Sequence, residues 1–277
     1  MSVNSTLYIG ACGLRTFAQA MSMTSDNIAN ANTTAFKASQ ARFGDMVSSY
    51  LSTQSVDTDR AGCGSTILGI ATSFAQGPTI TTETWSDLAI NGEGFFRVRL
   101  CDESGTPVDG THTYYTRDGS FHVDKNGFIV NSQGLALLNT VGDGEAIQVL
   151  VDPTNPAYSN FNVSSAGVVY GTPVDPDVGT DPVELGIISM VRFPNQDGLI
   201  RQGNNLFLPG PESGAPILGQ ANINGNGSII DCNIEGSNVD LASEMVNMII
   251  YQADFNANSK SVTTGNNMLD TVINMVR

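Results

Sequence analysis

Towards the carboxy-terminal end, Leu241, Met245, Met248, Gln252, Phe255, Ser259, Val262, Asn266, Leu269, Ile273 and Val276 recur at alternating intervals of four and three residues. That is a heptad seam, and it dictates a helix with one face reserved for another helix. One column (Leu241, Met248, Phe255, Val262, Leu269, Val276) is apolar throughout, while the other (Met245, Gln252, Ser259, Asn266, Ile273) is apolar at its ends and polar in between. A helix of about 36 residues rising about 1.5 Å per residue reaches roughly 54 Å, longer than one domain of this size usually needs. At the opposite end Leu7, Leu14, Met21 and Ile28 fall every seven residues, with Val3, Phe17 and Ala31 as a weaker second column. Each stripe alone fits an ordinary amphipathic helix on a globular core. Two long seams bracketing a different kind of sequence point instead to a coiled-coil-like pair whose apolar face is completed by neighbouring copies. Gln252, Ser259 and Asn266 then either set the register of that pairing or face a solvated channel.

The expected fold class is α+β: long terminal helices with a mainly antiparallel β domain inserted between them. Residues 1–32 are read as the amino-terminal helix, ending near Asn30 where Asn32, Thr33 and Thr34 compete with helical hydrogen bonding. Residues 33–82 read as an extended linker with short strands, and 83–236 as the β domain. There Phe96, Val98 and Leu100 alternate with Phe95, Arg97 and Arg99 as in a half-buried strand, and Asp118-Gly119 and Asp124 to Gly127 signal turns of a hairpin region. Further strands are expected at Ile147–Val151, Ile187–Phe193 and Ile229–Ile230. The prolines at 153, 156, 173, 176 and 182 argue against a regular element in 152–182. Residues 237–277 form the final helix, with Ser237 and Asp240 as a capping-box-like start and Gly265, at a cost of about 1 kcal/mol, marking where the helix should bend or fray if isolated.

The 277 residues carry 12 Lys+Arg against 27 Asp+Glu, a net charge of -15, which excludes a phosphate-backbone partner and suits subunits that must not associate early. The start lacks a basic region and an unbroken apolar stretch, so no conventional secretory signal is expected, and no run reaches membrane-spanning length. Four cysteines (Cys12, Cys63, Cys101, Cys232) stand far apart in sequence without metal-ligand or redox-pair spacing, and incidental free thiols are expected. His112 and His122 fall among strands and turns without a nucleophile beside them. Asn91 to Phe96 begins like a dinucleotide fingerprint, but Arg97 takes the third glycine's place and a strand follows. Asn222 to Gly227 imitates a calcium loop, yet Asn233 at its twelfth position offers no bidentate carboxylate. No catalytic, cofactor-binding or metal site is expected.

The terminal motifs carry a resemblance. Asp26-Asn27-Ile28-Ala29-Asn30, then Thr33, Thr34, Ala35, Phe36 and Lys37, resembles the amino-terminal signature of the bacterial flagellar rod and hook axial proteins. Ser237-Asn238-Val239-Asp240-Leu241, followed by Glu244, Val246 to Ile249 and Met268-Leu269, is similar to the carboxy-terminal one. Leu88 to Phe96, Tyr115 to Gly119, Asn131 to Gly134, Phe193 to Asn195 and Gly203 to Leu206 resemble the family's central β region. Two departures stand out: Asp26 replaces a usual Asn, and Ala35 a usual Gly.

The resemblance implies a non-enzymatic building block without cofactors, exported by the flagellar type III apparatus without a cleaved signal. It would assemble outside the inner membrane into a helical homo-oligomeric tube with other flagellar axial proteins at its ends. The assembly interface expected from the seams comprises Leu7, Leu14, Phe17, Met21 and Ile28 with Leu241, Met245, Met248, Phe255, Val262, Leu269, Ile273 and Val276. Phe43 to Met46 and Ser73 to Gly77 look more like hook proteins, while the length sits nearer the distal rod. Hook subunit is the first reading and distal rod the alternative, with a secreted oligomeric adhesin or enzyme more distant.

Overall fold

The computed structural model describes residues 3–50, 60–108, 110–140, 144–149, 158–173 and 181–275. Val276 of the expected seam lies outside them. The chain forms two compact units, one from residues 1–31, 37–73 and 239–277, the other from 32–36 and 74–238. No helix among the described residues is long and apolar enough to cross a membrane.

The first unit holds α1 (Val3–Ala29), the strands β1 (Ser39–Tyr50) and β2 (Arg60–Thr72), and α2 (Leu241–Met275). The helix α1 stops where Asn30 turns back, its Nδ2 donating to the Asp26 carbonyl at 2.9 Å and to Asp26 Oδ1 at 3.1 Å. The start of α2 differs from the expected capping box. Asp240, not Ser237, is the cap: its carboxylate accepts from the Ala242 amide at 3.2 Å and from the Ser243 hydroxyl at 2.6 Å. These bonds, that of Ser243 foremost, pull the Asp240 carboxyl below its ordinary range. Packed against Leu7 of α1 rather than isolated, Gly265 is buried inside a continuous helix.

Where a linker with short strands was expected, β1 and β2 run 12 and 13 residues as one antiparallel pair. Glycine and aspartate, and to a lesser degree alanine, are depleted in strands, so composition conceals the pairing. The register steps from Met46↔Gly64 to Val47↔Gly62 and from Arg42↔Gly69 to Phe43↔Ile67, leaving Cys63 and Leu68 as bulged residues.

The second unit is built on antiparallel strands. In chain order they are β3 (Thr79–Thr81), β4 (Leu88–Asn91), β5 (Phe95–Arg99), β6 (Tyr114–Thr116), β7 (Phe121–Val123), β8 (Ile129–Asn131), β9 (Ala136–Leu137), β10 (Tyr158–Val163), β11 (Val168–Pro173), β12 (Val183–Ile187), β13 (Met190–Arg192), β14 (Ile200–Gly203), β15 (Leu206–Leu208), β16 (Ile217–Gly219), β17 (Ser228–Asp231) and β18 (Asn233–Glu235). A nine-stranded sheet runs β14-β15-β6-β5-β9-β8-β7, with β13 joining β5 to β16; β10-β11-β12 form a meander, and β17 and β18 pair with β4 and β3. The hairpin β7–β8 turns at Asp124 to Gly127, as the turn residues require.

Three expectations change here. Phe95 and Phe96 are both fully buried, because β5 has a core on each face: Phe96 and Val98 join Leu137, Ile188 and Met190, while Phe95 joins Tyr115, Val191, Phe193 and Phe207. Ile147 and Val149 reach the core from irregular chain rather than from a strand. The stretch expected to lack regular structure supplies β10 and β11, with Pro173 closing the second; residues 150–157 and 174–180, with the remaining prolines there, lie outside the described residues.

Candidate assembly interface

Within the first unit α1 and α2 pack antiparallel, and small residues set their approach. A β-carbon placed on Gly10 would come within 2.6 Å of Val262 Cγ2, one on Gly13 within 2.6 Å of Asn258 Oδ1, and one on Gly265 within 2.9 Å of Leu7 Cδ2. The buried ridge of α1 is thus Gly10, Gly13, Thr16, Ala20, Thr24 and Asn27, and the separation of packed helices follows the size of the side chains at the contact. The ridge serves two neighbours, since Thr16 Oγ1 also lies 2.8 Å from the Ser65 carbonyl of β2. Phe17, Phe43 and Tyr251, one from each of α1, β1 and α2, meet with ring centroids 6.0 to 6.3 Å apart.

Asn27 closes the far end. Its Nδ2 donates to the Ser39 carbonyl at 2.8 Å and to Glu244 Oε1 at 3.0 Å, and its Oδ1 accepts from the Ser39 amide at 2.9 Å. One buried amide side chain therefore ties the end of α1 to the first residue of β1 and the first turn of α2. Beside it Ala20, Thr24, Ser39, Glu244, Asn247 and Tyr251 line a polar cavity of about 200 Å³. Burial, then Glu244 and Asp254, push the Tyr251 phenol above its ordinary pKa.

The expected interface residues lie beside this ridge. Leu7, Leu14, Phe17, Met21 and Ile28 are half-buried on α1, as are Met248, Phe255, Val262 and Leu269 on α2. Leu241, Met245 and Ile273 are exposed, at 43%, 52% and 61%. Met21 and Phe255 line opposite walls of a groove of about 560 Å³ between the helices, shared with Gln252 and Asn256. Val246, Ile249, Ile250, Met268, Val272 and Met275 extend the uncovered apolar surface of α2. The column of α2 that meets α1 is Glu244, Tyr251, Asn258 and Gly265. It also repeats every seven residues, but its polarity hid it from a search for apolar periodicity.

The remaining motif residues belong to the second unit or its borders. Ala35 is left-handed at φ 53, and its amide donates to the Glu235 carbonyl at 2.8 Å. Phe36 is buried, with the Arg201 guanidinium 5.1 Å above its ring. Lys37 and Ser237 are buried; Asn238 Nδ2 donates to the Ala75 carbonyl at 3.0 Å, and Val239 is half-buried beside it in sequence. In α1, Ala29 is exposed and Asn30 half-buried. Glu235, two residues ahead of the motif and passed over in the sequence, accepts from the Gly77 amide at 2.8 Å and pairs with Arg117 at 3.5 Å, both side chains nearly inaccessible. Burial pulls the Arg117 guanidinium below its ordinary pKa, and Glu235 opposes this.

Family models match both terminal segments and part of the β unit. Models described as flagella basal body rod protein, flagellar hook protein FlgE/F/G D1 domain and flagellar basal body rod FlgEFG protein C-terminal match residues 7–37, 89–171 and 232–275. The chain belongs to the flagellar hook and basal-body rod protein family. It is 33% identical to a flagellar basal-body rod protein FlgG of Borreliella burgdorferi over 98% of each chain. It is 34% identical to that of Bacillus subtilis, over 98% of this chain and 99% of the relative. A flagellar hook protein FlgE of Brucella suis is 25% identical over the full length of both chains. As a flagellar axial protein, the chain is a structural component of the flagellum.

Proposed function

We propose that this chain is a non-catalytic subunit that polymerises through its terminal helices into a tube transmitting torque from motor to filament. The supporting observation is the apolar surface of α2: Ile249, Ile273 and Met275 are exposed at 65%, 61% and 80% in the single chain. Large apolar side chains left in solvent in such number along one helix mark an interaction surface. Copies of the same chain are its occupants, with other axial proteins at the tube's ends. Residues 1–32 and 237–277 serve as the axial core, 33–82 as its connection and 83–236 as the outer β domain. The subunit reaches its place outside the inner membrane through the flagellar export apparatus, without a cleaved signal.

Hook and distal rod stand level as its position. The hook reading draws on the segments Phe43 to Met46 and Ser73 to Gly77 and on the hook relative; the rod reading draws on relatives of matching length named as rod proteins. Electron microscopy of basal bodies from cells lacking the chain decides. A complete rod without a hook establishes the hook subunit, and a truncated rod establishes the rod subunit. An unchanged structure would count against both positions.

A further inference from the structure

Cys12 of α1 packs against Gly64 of β2, the residue that follows Cys63. Cys12 lies on the face of α1 that packs against β2, where its β-carbon sits 3.3 Å from the position a β-carbon on Gly64 would occupy. Gly64 follows Cys63 directly, and the same approach brings the Ile9 carbonyl within 3.5 Å of that position. The contact is pinned on its other side, because the Thr16 hydroxyl lies 2.9 Å from the Cys12 carbonyl and 2.8 Å from the Ser65 carbonyl. Cys63 is the extra residue of a β-bulge, without a cross-strand partner; at a bulge the local ladder is disrupted and the side chain re-aimed. Tyr8, one helical turn before Cys12, has its phenol pKa raised, first by a hydrogen bond with Cys12, then by burial, with a smaller influence from Cys63. Both cysteines are half-buried free thiols, within reach of a reagent.

We propose that Cys12 and Cys63 form an intrachain disulfide that clamps the β1–β2 pair to α1 when the chain meets a protein disulfide oxidant. One of the two thiolates attacks a sulfur of the oxidant's disulfide, giving a mixed disulfide and releasing the oxidant's other sulfur as a thiolate. The second thiolate then attacks the linked cysteine sulfur, the Sγ–Sγ bond forms, and the remaining oxidant sulfur leaves. The chain loses two electrons and two thiol protons; the oxidant becomes a dithiol. Cys101 and Cys232, both in the second unit, take no part. The cellular setting of this step, though not the pairing, rests on the location outside the inner membrane proposed above.

The test treats the purified full chain with oxidised glutathione, denatures it without reductant, and labels free thiols with an alkylating reagent before peptide mapping. Labelling should fall from all 4 cysteines to Cys101 and Cys232 alone. The map should then show a peptide containing Cys12 joined to one containing Cys63. Cys12→Ser and Cys63→Ser should each abolish the link, and a Cys101→Ser, Cys232→Ser double variant should keep it. Full labelling of the oxidised wild-type chain, or linkage through Cys101, Cys232 or a second molecule, would overturn the proposal. Chain taken from flagellar bodies separates the two claims: a pair that links in the purified chain but stays reduced there counts against the location, not against the pairing.

Discussion

The helical unit and the β unit bury different chemistry. Around β5 the inaccessible side chains are large and apolar: Phe95, Phe96, Val98, Leu137, Ile188, Met190 and Phe207. Along α1 the inaccessible residues are Gly10, Gly13, Thr16, Ala20, Thr24 and Asn27, while Ile249, Val272, Ile273 and Met275 of α2 stay in solvent. Burial stabilises in proportion to apolar area removed from water, so the β unit supplies its own core. The helical unit gives much of its inner face to close approach and hydrogen bonds, buries Phe17, Phe43 and Tyr251 only in part, and leaves several large apolar groups of α2 in solvent. Under the proposed assembly, a terminal helix pair of this kind gains further apolar burial from neighbouring copies.

The comparison breaks most visibly at Phe96. Its ring is fully buried and meets Phe121 edge-on at 5.4 Å. Phe96→Ala is expected to cost the β unit about 3–5 kcal/mol. Urea unfolding followed by the fluorescence of Trp85, the single tryptophan, which packs on Phe161 at 4.7 Å, reads that unit directly. A loss below about 1 kcal/mol would mean that the β core is less closely packed than a self-sufficient domain requires.

Asn27→Ala is the corresponding cut in the helical unit. It leaves the Ser39 backbone and Glu244 without their partner and is expected to cost about 2–4 kcal/mol. The loss should show in the far-ultraviolet circular dichroism transition of the helices and leave the Trp85 transition in place. A shift of both together would show the two regions unfolding as one body and dissolve the distinction.

Ala35→Gly works in the opposite direction. An alanine at φ 53 carries a left-handed penalty that glycine does not, and the substitution should raise stability of the β unit by about 1 kcal/mol. A neutral or negative result by the Trp85 transition would show that its burial matters more than its backbone.

Legibility in the sequence followed the same division. Both terminal helices could be read because heptad spacing persists along them, and the hairpin β7–β8 because Asp124 and Gly127 fit their turn. The β1–β2 pair escaped notice, since Gly44, Gly62, Gly64, Gly69 and several serines suppress the alternation by which strands are recognised. Phe95 defeats period-two reasoning, which assumes one core where β5 has two. The helix contact is legible only in part: Leu7 and Val262 of the apolar seams pack on Gly265 and Gly10, but the glycine, threonine and asparagine of the ridge escape a search for apolar periodicity. Gly265, read as a weak point, is where Leu7 packs.

The smallest expected effect on the monomer tests that last distinction most sharply. Ile273 is 61% exposed, so Ile273→Asp removes little intrachain burial, and the monomer should keep its stability to within about 0.5 kcal/mol by both spectroscopic transitions. Leu269→Asp should cost somewhat more, because Leu269 is half-buried, while leaving the Trp85 transition unmoved. Both should prevent tube formation, since a carboxylate buried between copies without a partner is far costlier than the same group in water. Sedimentation and negative-stain microscopy of the assembled material separate the cases. Tubes from the Ile273 variant would move the contact surface elsewhere on α2. Tubes from both would show that the outward apolar face is not what joins the copies, and the contrast between a self-sufficient unit and a partner-dependent one would fail at its functional end.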